Sequence, residues 1–344
     1  MKYKLTIPIW AIGLTITGTA QADDSTTAVS GVMYSHFSVD MTDGADNATN
    51  FGLDRAYLTA KRSVTDTLST RLTLDVGRAK SQSIELSDAD GEVFEVSIPE
   101  DTKLRFFMKY AYLQWDTPMD GVTMRFGAAG TPWVGFADKF WGHRYVSKAF
   151  TDRNKILSSS DLGLHFVGAH NDGMLSWQAN FINGEGYGSP EDGPDKTTQV
   201  RVTADLLAGN DSSSLPISAF ASTELLNADD DDPTTVVIGS VGYKMSSLAV
   251  WGEYVMEMEG DVTGSGYSGV VRPSVGDIGS VIVRYDHWDP DTDTADDAST
   301  TIIAGVSKDF AKKISTALTY ERQTEEVAID TPSHGVFIRT QTGF

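Results

Sequence analysis

Val122-Thr123-Met124-Arg125-Phe126-Gly127-Ala128 sets an apolar side chain at every second position, with a polar residue or a glycine between. That period of two belongs to a strand with one face in an apolar medium and the other in water. The same alternation recurs outward in both directions. Leu72, Leu74 and Val76 interleave with Arg71, Thr73 and Asp75; Leu175, Trp177, Ala179 and Phe181 with Ser176, Gln178 and Asn180; Val200, Val202 and Ala204 with Gln199, Arg201, Thr203 and Asp205. Extended along the chain, the pattern predicts about 16 strands, near 28–40, 50–62, 68–78, 104–115, 122–129, 160–169, 174–183, 198–206, 215–225, 234–243, 248–257, 267–274, 277–288, 299–307, 314–323 and 335–344.

Alternation suits a soluble sandwich as well as a membrane barrel, and connection lengths separate the two. Residues 63–67, 116–121, 170–173, 244–247 and 308–313 are short connections, whereas 79–103, 130–159, 184–197, 258–266 and 289–298 are long. Sorting by parity is what a transmembrane antiparallel β-barrel with short periplasmic turns and long outside loops produces. Many of the spans approach the ~9 to 11 residues a tilted strand needs to cross a bilayer. Closure leaves no unpaired edge for lipid to face. The expected fold is therefore all-β, a barrel occupying residues 23–344.

The two ends agree. Lys2 and Lys4, the apolar run Leu5–Leu14 and the sequence Ala20-Gln21-Ala22 make residues 1–22 an export signal cleaved after Ala22, too short in its apolar part to span a membrane. The last strand, Val336 to Phe344, alternates and closes on an aromatic residue, similar to the C-terminal signature of barrels assembled in the bacterial outer membrane, the expected location. With no cysteine in 344 residues there is no disulfide framework, thiolate metal site or cysteine nucleophile. A formal charge of -21 excludes nucleic acid as a partner unless basic residues are segregated.

Charge is indeed segregated. The acids concentrate in long connections: Asp88, Asp90, Glu92 and Glu95; Glu185, Glu191, Asp192 and Asp195; Asp229 to Asp232; Asp289, Asp291, Asp293, Asp296 and Asp297. They read as a solvated rim beside outer-membrane lipid and lipopolysaccharide. Asp289, Asp291 and Asp293 have the spacing that opens a calcium loop, but Thr294 and Thr300 stand where glycine and glutamate belong, so a plain acidic loop is the stronger reading. No other metal and no cofactor is expected.

The third long connection inverts the sign. Residues 130–159 carry Lys139, Arg144, Lys148, Arg153 and Lys155 against Asp138 and Asp152, interleaved with Trp133, Phe136, Phe140, Trp141, Tyr145 and Phe150. A loop this long and this aromatic is expected to fold into the barrel, with Trp133, Phe136, Phe140, Trp141 and Tyr145 as anchors. Its cations then either line the narrowest part of a pore, or pin the loop to wall carboxylates such as Asp75, Asp161 and Asp205. Arg55, Arg71, Arg125, Arg201, Arg284 and Arg339 recur on the inward parity of strands, for anion guidance or for pairing with inward carboxylates.

Trp115, Phe181, Tyr243, Tyr254 and Tyr320 stand near strand ends, where girdle aromatics and ordinary strand aromatics look alike. No single parity serves 104–115: one sends Lys109 to lipid, the other puts Trp115 inside. A subunit interface would reconcile them. His36, His143, His165, His170, His287 and His334 show no metal-ligand spacing, and no G-x-S-x-G elbow occurs, so an enzyme is not expected.

Three stretches carry a family resemblance. Phe51-Gly52-Leu53-Asp54-Arg55-Ala56-Tyr57-Leu58 with Leu72-Thr73-Leu74-Asp75 resembles the first hairpin of the phosphate-selective porin O and P family. Asp161-Leu162-Gly163-Leu164 through Phe181-Ile182-Asn183-Gly184-Glu185-Gly186 resembles its middle hairpin, and Ile338 to Phe344 its end. The resemblance implies a 16-stranded, usually trimeric porin, a passive channel for small ionic solutes with loop three folded inward. Of the basic residues, Arg55 and Arg339 lie within matching motifs. The chain departs from the family in its acidity and in Gly130-Thr131-Pro132-Trp133 after the fifth strand. A weak preference for small anions is the leading expectation; a cation-preferring channel driven by the acidic loops and a non-conducting adhesin or structural barrel are the alternatives.

Overall fold

A computed structural model describes residues 27–44, 48–77, 82–87, 93–98, 103–191, 193–210, 212–225, 232–328 and 332–344. The export signal and its cleavage after Ala22 lie outside these residues, as do Asp88, Asp90, Glu92, Asp192 and Asp229 to Asp231.

Sixteen antiparallel strands pair in chain order and close on themselves. They are β1 (Ala28–Asp40), β2 (Thr49–Ser63), β3 (Leu68–Gly77), β4 (Arg105–Asp116), β5 (Val122–Gly130), β6 (Ser160–His170), β7 (Leu175–Ile182), β8 (Lys196–Asp205), β9 (Pro216–Leu225), β10 (Thr235–Met245), β11 (Leu248–Glu259), β12 (Val262–Pro273), β13 (Ser280–Asp289), β14 (Ser299–Ala311), β15 (Ile314–Glu325) and β16 (Ser333–Gly343). The seam runs between β1 and β16, from Val32 opposite Gly343 to Asp40 opposite Gly335, so the barrel has no free edge.

The connections sort by parity, with two departures from the sequence reading. The sixth loop, expected to be long, is only Gly260 and Asp261, because β11 and β12 stay in register through Glu259 and Val262. Gly260 supplies the positive φ (57°) that so tight a hairpin needs. At the opposite end the turn after β8 is longer than its neighbours and holds a two-residue strand, Ser213–Ser214, paired with Met245 and Lys244.

The facing conflict in β4 is resolved inside the strand rather than at a subunit interface. Thr73 pairs with Tyr110 but Leu74 pairs with Met108, so Lys109 is an extra residue in a β-bulge. Parity changes there, which leaves Trp115 37% exposed on the outer face while Lys109 is only 5% exposed. Its ammonium donates to Ser159 Oγ (2.8 Å) and sits 4.6 Å from the centre of the Tyr187 ring.

Outward positions form an apolar band that includes Leu72, Phe126, Phe181, Val202, Val241 and Val283, all exposed. Inward positions are of two kinds. On β1, β2, β15 and β16 they are mostly polar or aromatic-polar, as in Tyr34, His36, Thr59, Thr319, Glu321 and Arg339. On β9 to β14 many are apolar and buried: Phe220, Val236, Ile238, Trp251, Val255, Val270, Ile282 and Ile303. What covers this second wall is the third loop. Its helix α1 (Val134–Trp141) buries Val134, Ala137 and Trp141 along one stripe and stops at Gly142, whose φ of 68° closes the last turn. A single-turn helix α2 (Phe150–Arg153) buries Phe150 and Thr151.

Candidate constriction site

Loop three is fastened to the apolar wall at its root, along its length and at its tip. At the root, Trp133 is fully buried against Phe220 and Trp251, and its indole N–H donates to Glu253 Oε2 at 3.0 Å. Arg201 donates through Nε to the Pro132 carbonyl (3.0 Å), and its guanidinium lies 4.3 Å from the Phe136 ring centre. Phe140 packs 4.7 Å from Trp251, ring centre to ring centre. Beyond α1, Arg272 donates to the Phe140 carbonyl (3.1 Å) and to His143 Nδ1 (2.9 Å), and His143 Nε2 donates to Ser307 Oγ (2.7 Å). Burial, with Arg272 beside it, pulls the His143 imidazole down to about 4, so it is neutral and able to accept from a guanidinium. Farther along, Arg284 donates to the Lys148 carbonyl (2.7 Å) while pairing with Asp286 (2.7 Å).

The five expected anchors, Trp133, Phe136, Phe140, Trp141 and Tyr145, all belong to or pack against this cluster. The wall carboxylates do not behave as the pinning alternative anticipated. Asp75 pairs with Arg55 of the neighbouring strand; Asp161 accepts the Gly184 and Gly186 amides of loop four; Asp205 accepts Ser214 Oγ and the Leu207 and Leu215 amides in its turn. None of the three reaches a cation of loop three, because each is taken up by nearer donors. Glu253 and Glu321 hold the loop instead.

With its back on that wall, the loop turns the stretch from Arg144 to Arg153 toward β1, β2 and β16. Between them lies a cavity of about 360 Å³ lined by Arg55, Arg144, Lys148, Arg153 and Arg339, together with His36, Asp54, Glu321 and Phe337. Every cation has a carboxylate partner. Arg144 bridges Asp138 (3.0 Å) and Asp152 (3.1 Å), and Lys148 adds a contact to Asp152 (3.3 Å). Arg153 and Arg339 share Glu321, each at 2.7 Å; Arg55 holds Asp75 at 2.6 Å. His36 lies over Gly52, where a Cβ would meet the imidazole at 2.3 Å, and reaches Asp54 at 3.0 Å. Asp54 is itself an extra residue, since Tyr34 pairs with Arg55 and Ser35 with Leu53.

Accessibility differs within this set. Lys148 is 40% exposed and Asp54 42%, while Arg55, Arg144, Arg153 and Arg339 lie between 10% and 19%. Burial lowers the Lys148 ammonium below the usual lysine value; Asp152 opposes this and Arg55 adds to it. Burial raises the Asp138 carboxyl, against the pull of Arg144. Toward the loop end a second cavity, about 270 Å³, is lined by Ser38, Asp40, Thr42 and His334 and shares Glu321 and Phe337 with the first.

The remaining basic residues are placed elsewhere. Lys139 and Lys155 are exposed and line neither cavity. Arg71 lies over the Tyr110 ring (4.4 Å), and Arg125 over Tyr112 (5.4 Å) with a bond to Gln114 (3.0 Å), both near the turn end of the barrel. Arg201 faces the root of loop three, as described. Among the described residues no three His, Asp or Glu side chains are grouped to hold a metal; Asp291 instead accepts the Asp293 amide and the Thr294 hydroxyl, the bonds of a turn. Sequence reasoning passed over His36, Asp54, Glu321 and Phe337. Inward parity on β15 and β16 was the available signal for Glu321 and Phe337; the bulge hides Asp54.

No protein-family model and no curated sequence matches the chain. Solved structures do. OmpF of Salmonella typhi, in complex with daunomycin, aligns over 94% of this chain and 99% of its own, with a TM-score of 0.63 and 10% identity. The anion-selective porin of Comamonas acidovorans aligns over 93% and 100%, with a TM-score of 0.61 and 12% identity. OmpT of Vibrio cholerae, folded in vitro and in trimer form, gives 94% and 100%, 0.60 and 13%. The closed barrel is the fold these three structures share with the chain, while the phosphate-selective resemblance rests on its three short patches alone.

Proposed function

We propose that the chain is an outer-membrane porin, a passive diffusion channel for small hydrophilic solutes with a weak preference for small anions. The observation that carries this reading is the convergence of Arg55, Arg144, Lys148, Arg153 and Arg339 on one cavity in a barrel that no strand edge leaves open. Charges act more strongly where protein walls displace water, so a solute crossing here is sorted by the groups it can reach. Lys148 is the most reachable cation and loop three holds it in place; Asp54 is the opposing reachable carboxylate, which keeps the preference weak. Export by cleavage after Ala22, lipid and lipopolysaccharide against the apolar band, and a trimer like that of the Vibrio protein belong to the same reading.

Planar-bilayer recording in a potassium chloride gradient tests it. The expected result is steady conductance with a reversal potential displaced modestly toward chloride. Replacing Arg144, Lys148 and Arg153 together by Glu moves it to the potassium side. No conductance at all sinks the channel reading. Clear cation preference in the natural chain favours the second reading, in which Asp54 and the Asp40 vestibule dominate. An unchanged reversal potential in the triple variant makes the loop cations purely structural.

A further inference from the structure

Phe337 is out of place by composition. The vestibule cavity is otherwise lined by side chains that all carry polar atoms, plus Gly335, yet this phenyl ring belongs to it and to the constriction beyond. Among the described residues, Phe337 and Glu321 alone line both cavities, so the ring and the carboxylate mark where the two meet.

The ring is held firmly. The Arg339 guanidinium lies 3.8 Å from its centre, and that guanidinium is fixed by Thr319 Oγ1 (2.8 Å) and Glu321 (2.7 Å). The His36 ring meets it edge-on at 6.5 Å. The Glu321 carboxylate is shared between two guanidinium groups, so the border around the ring carries more positive than negative charge. Arg153 also donates to Ser147 Oγ (3.1 Å) and Gln323 Oε1 (3.4 Å), which does not exhaust its five N–H donors, and Lys148 stands in the same cavity with its side chain 40% exposed. The constriction, at about 360 Å³, falls within the volume range of small-molecule sites.

We propose that the junction of the two cavities is a subsite for small aromatic carboxylates, with the arene stacked on Phe337 and the carboxylate taken by Lys148 and Arg153. The assignment rests on the porin reading and names the solute class that the site favours. An aliphatic carboxylate of equal size finds the same charges but cannot form the offset-stacked or edge-on ring pair, which sets the discrimination at roughly two- to tenfold.

Benzoate and cyclohexanecarboxylate, which share carbon count and charge, separate the two contributions. Permeability of each relative to chloride is read from bi-ionic reversal potentials in planar bilayers. The expected result is a benzoate-to-cyclohexanecarboxylate ratio well above one, lost in Phe337→Leu and kept in Phe337→Tyr. A ratio of one in the natural chain, or a ratio that survives Phe337→Leu, overturns the subsite. The chloride-to-potassium ratio in the same recordings reports the parent reading: a cation-preferring channel that still favours benzoate over its saturated analogue refutes the anion preference while leaving the ring's role intact.

Discussion

The two walls of this barrel solve different problems with the same alternating backbone. The wall of β9 to β14 is apolar outside and carries many apolar side chains inside, where loop three covers them, whereas the wall of β1, β2, β15 and β16 is apolar outside and mostly polar within. The difference teaches that a barrel strand is described by what stands on each of its faces. The covered wall behaves as a small globular core, with Trp133 at its centre; the open wall presents polar and charged side chains to the lumen.

The sharpest way to break this contrast is Trp133→Ala. It removes a fully buried indole and leaves the Glu253 carboxylate without its donor, so loop docking should weaken by about 3–5 kcal/mol. Hydrogen exchange across 131–159 then rises and single-channel conductance increases, while the barrel strands keep their protection. Unchanged exchange in the loop would mean the covered wall is not what holds it.

Acid provides the next effect. His143 titrates near 4 in place and near 6.5 in the undocked loop, so the undocked state binds more protons between those values. Docking is therefore fully supported above about pH 6.5 and loses about 1.4 kcal/mol per pH unit as pH falls toward 4. Current noise should grow over that window in the natural chain and much less in His143→Gln; equal noise in the two would remove His143 from the account. Smallest of all, Ser38→Ala on the open wall should change thermal stability in detergent by no more than about 0.5 kcal/mol, since the hydroxyl lines a solvated cavity. A larger loss would show that the open wall too is a packed surface.

The same contrast explains what could be read from the sequence. The strands of the first half were legible because a polar inner face gives strict alternation, as in Arg71-Leu72-Thr73-Leu74-Asp75. Val236-Val237-Ile238 and Val281-Ile282-Val283 lose the period, since both faces are apolar there, so alternation marks these strands less sharply. Loop three was visible through its own composition, but its partners Glu253, Arg272 and Ser307 lie more than 100 residues away. A trace was present: Glu253 falls between Trp251 and Val255 on one face, a lone carboxylate in an apolar stripe that calls for a donor. The bulge at Lys109 showed only as the facing conflict over 104–115, and the one at Asp54 left no trace, because parity counting assumes that every residue is paired.

The seam between β1 and β16 has a consequence for assembly. His36 opposite Arg339 and Ser38 opposite Phe337 join residues about 300 positions apart, so the constriction contains contacts of nearly the greatest sequence separation the chain allows. Closing so large a loop is slow compared with forming the hairpins between, and it comes after them. The arginine-lined cavity is thus completed by the same event that seals the cylinder, and a half-assembled chain holds neither.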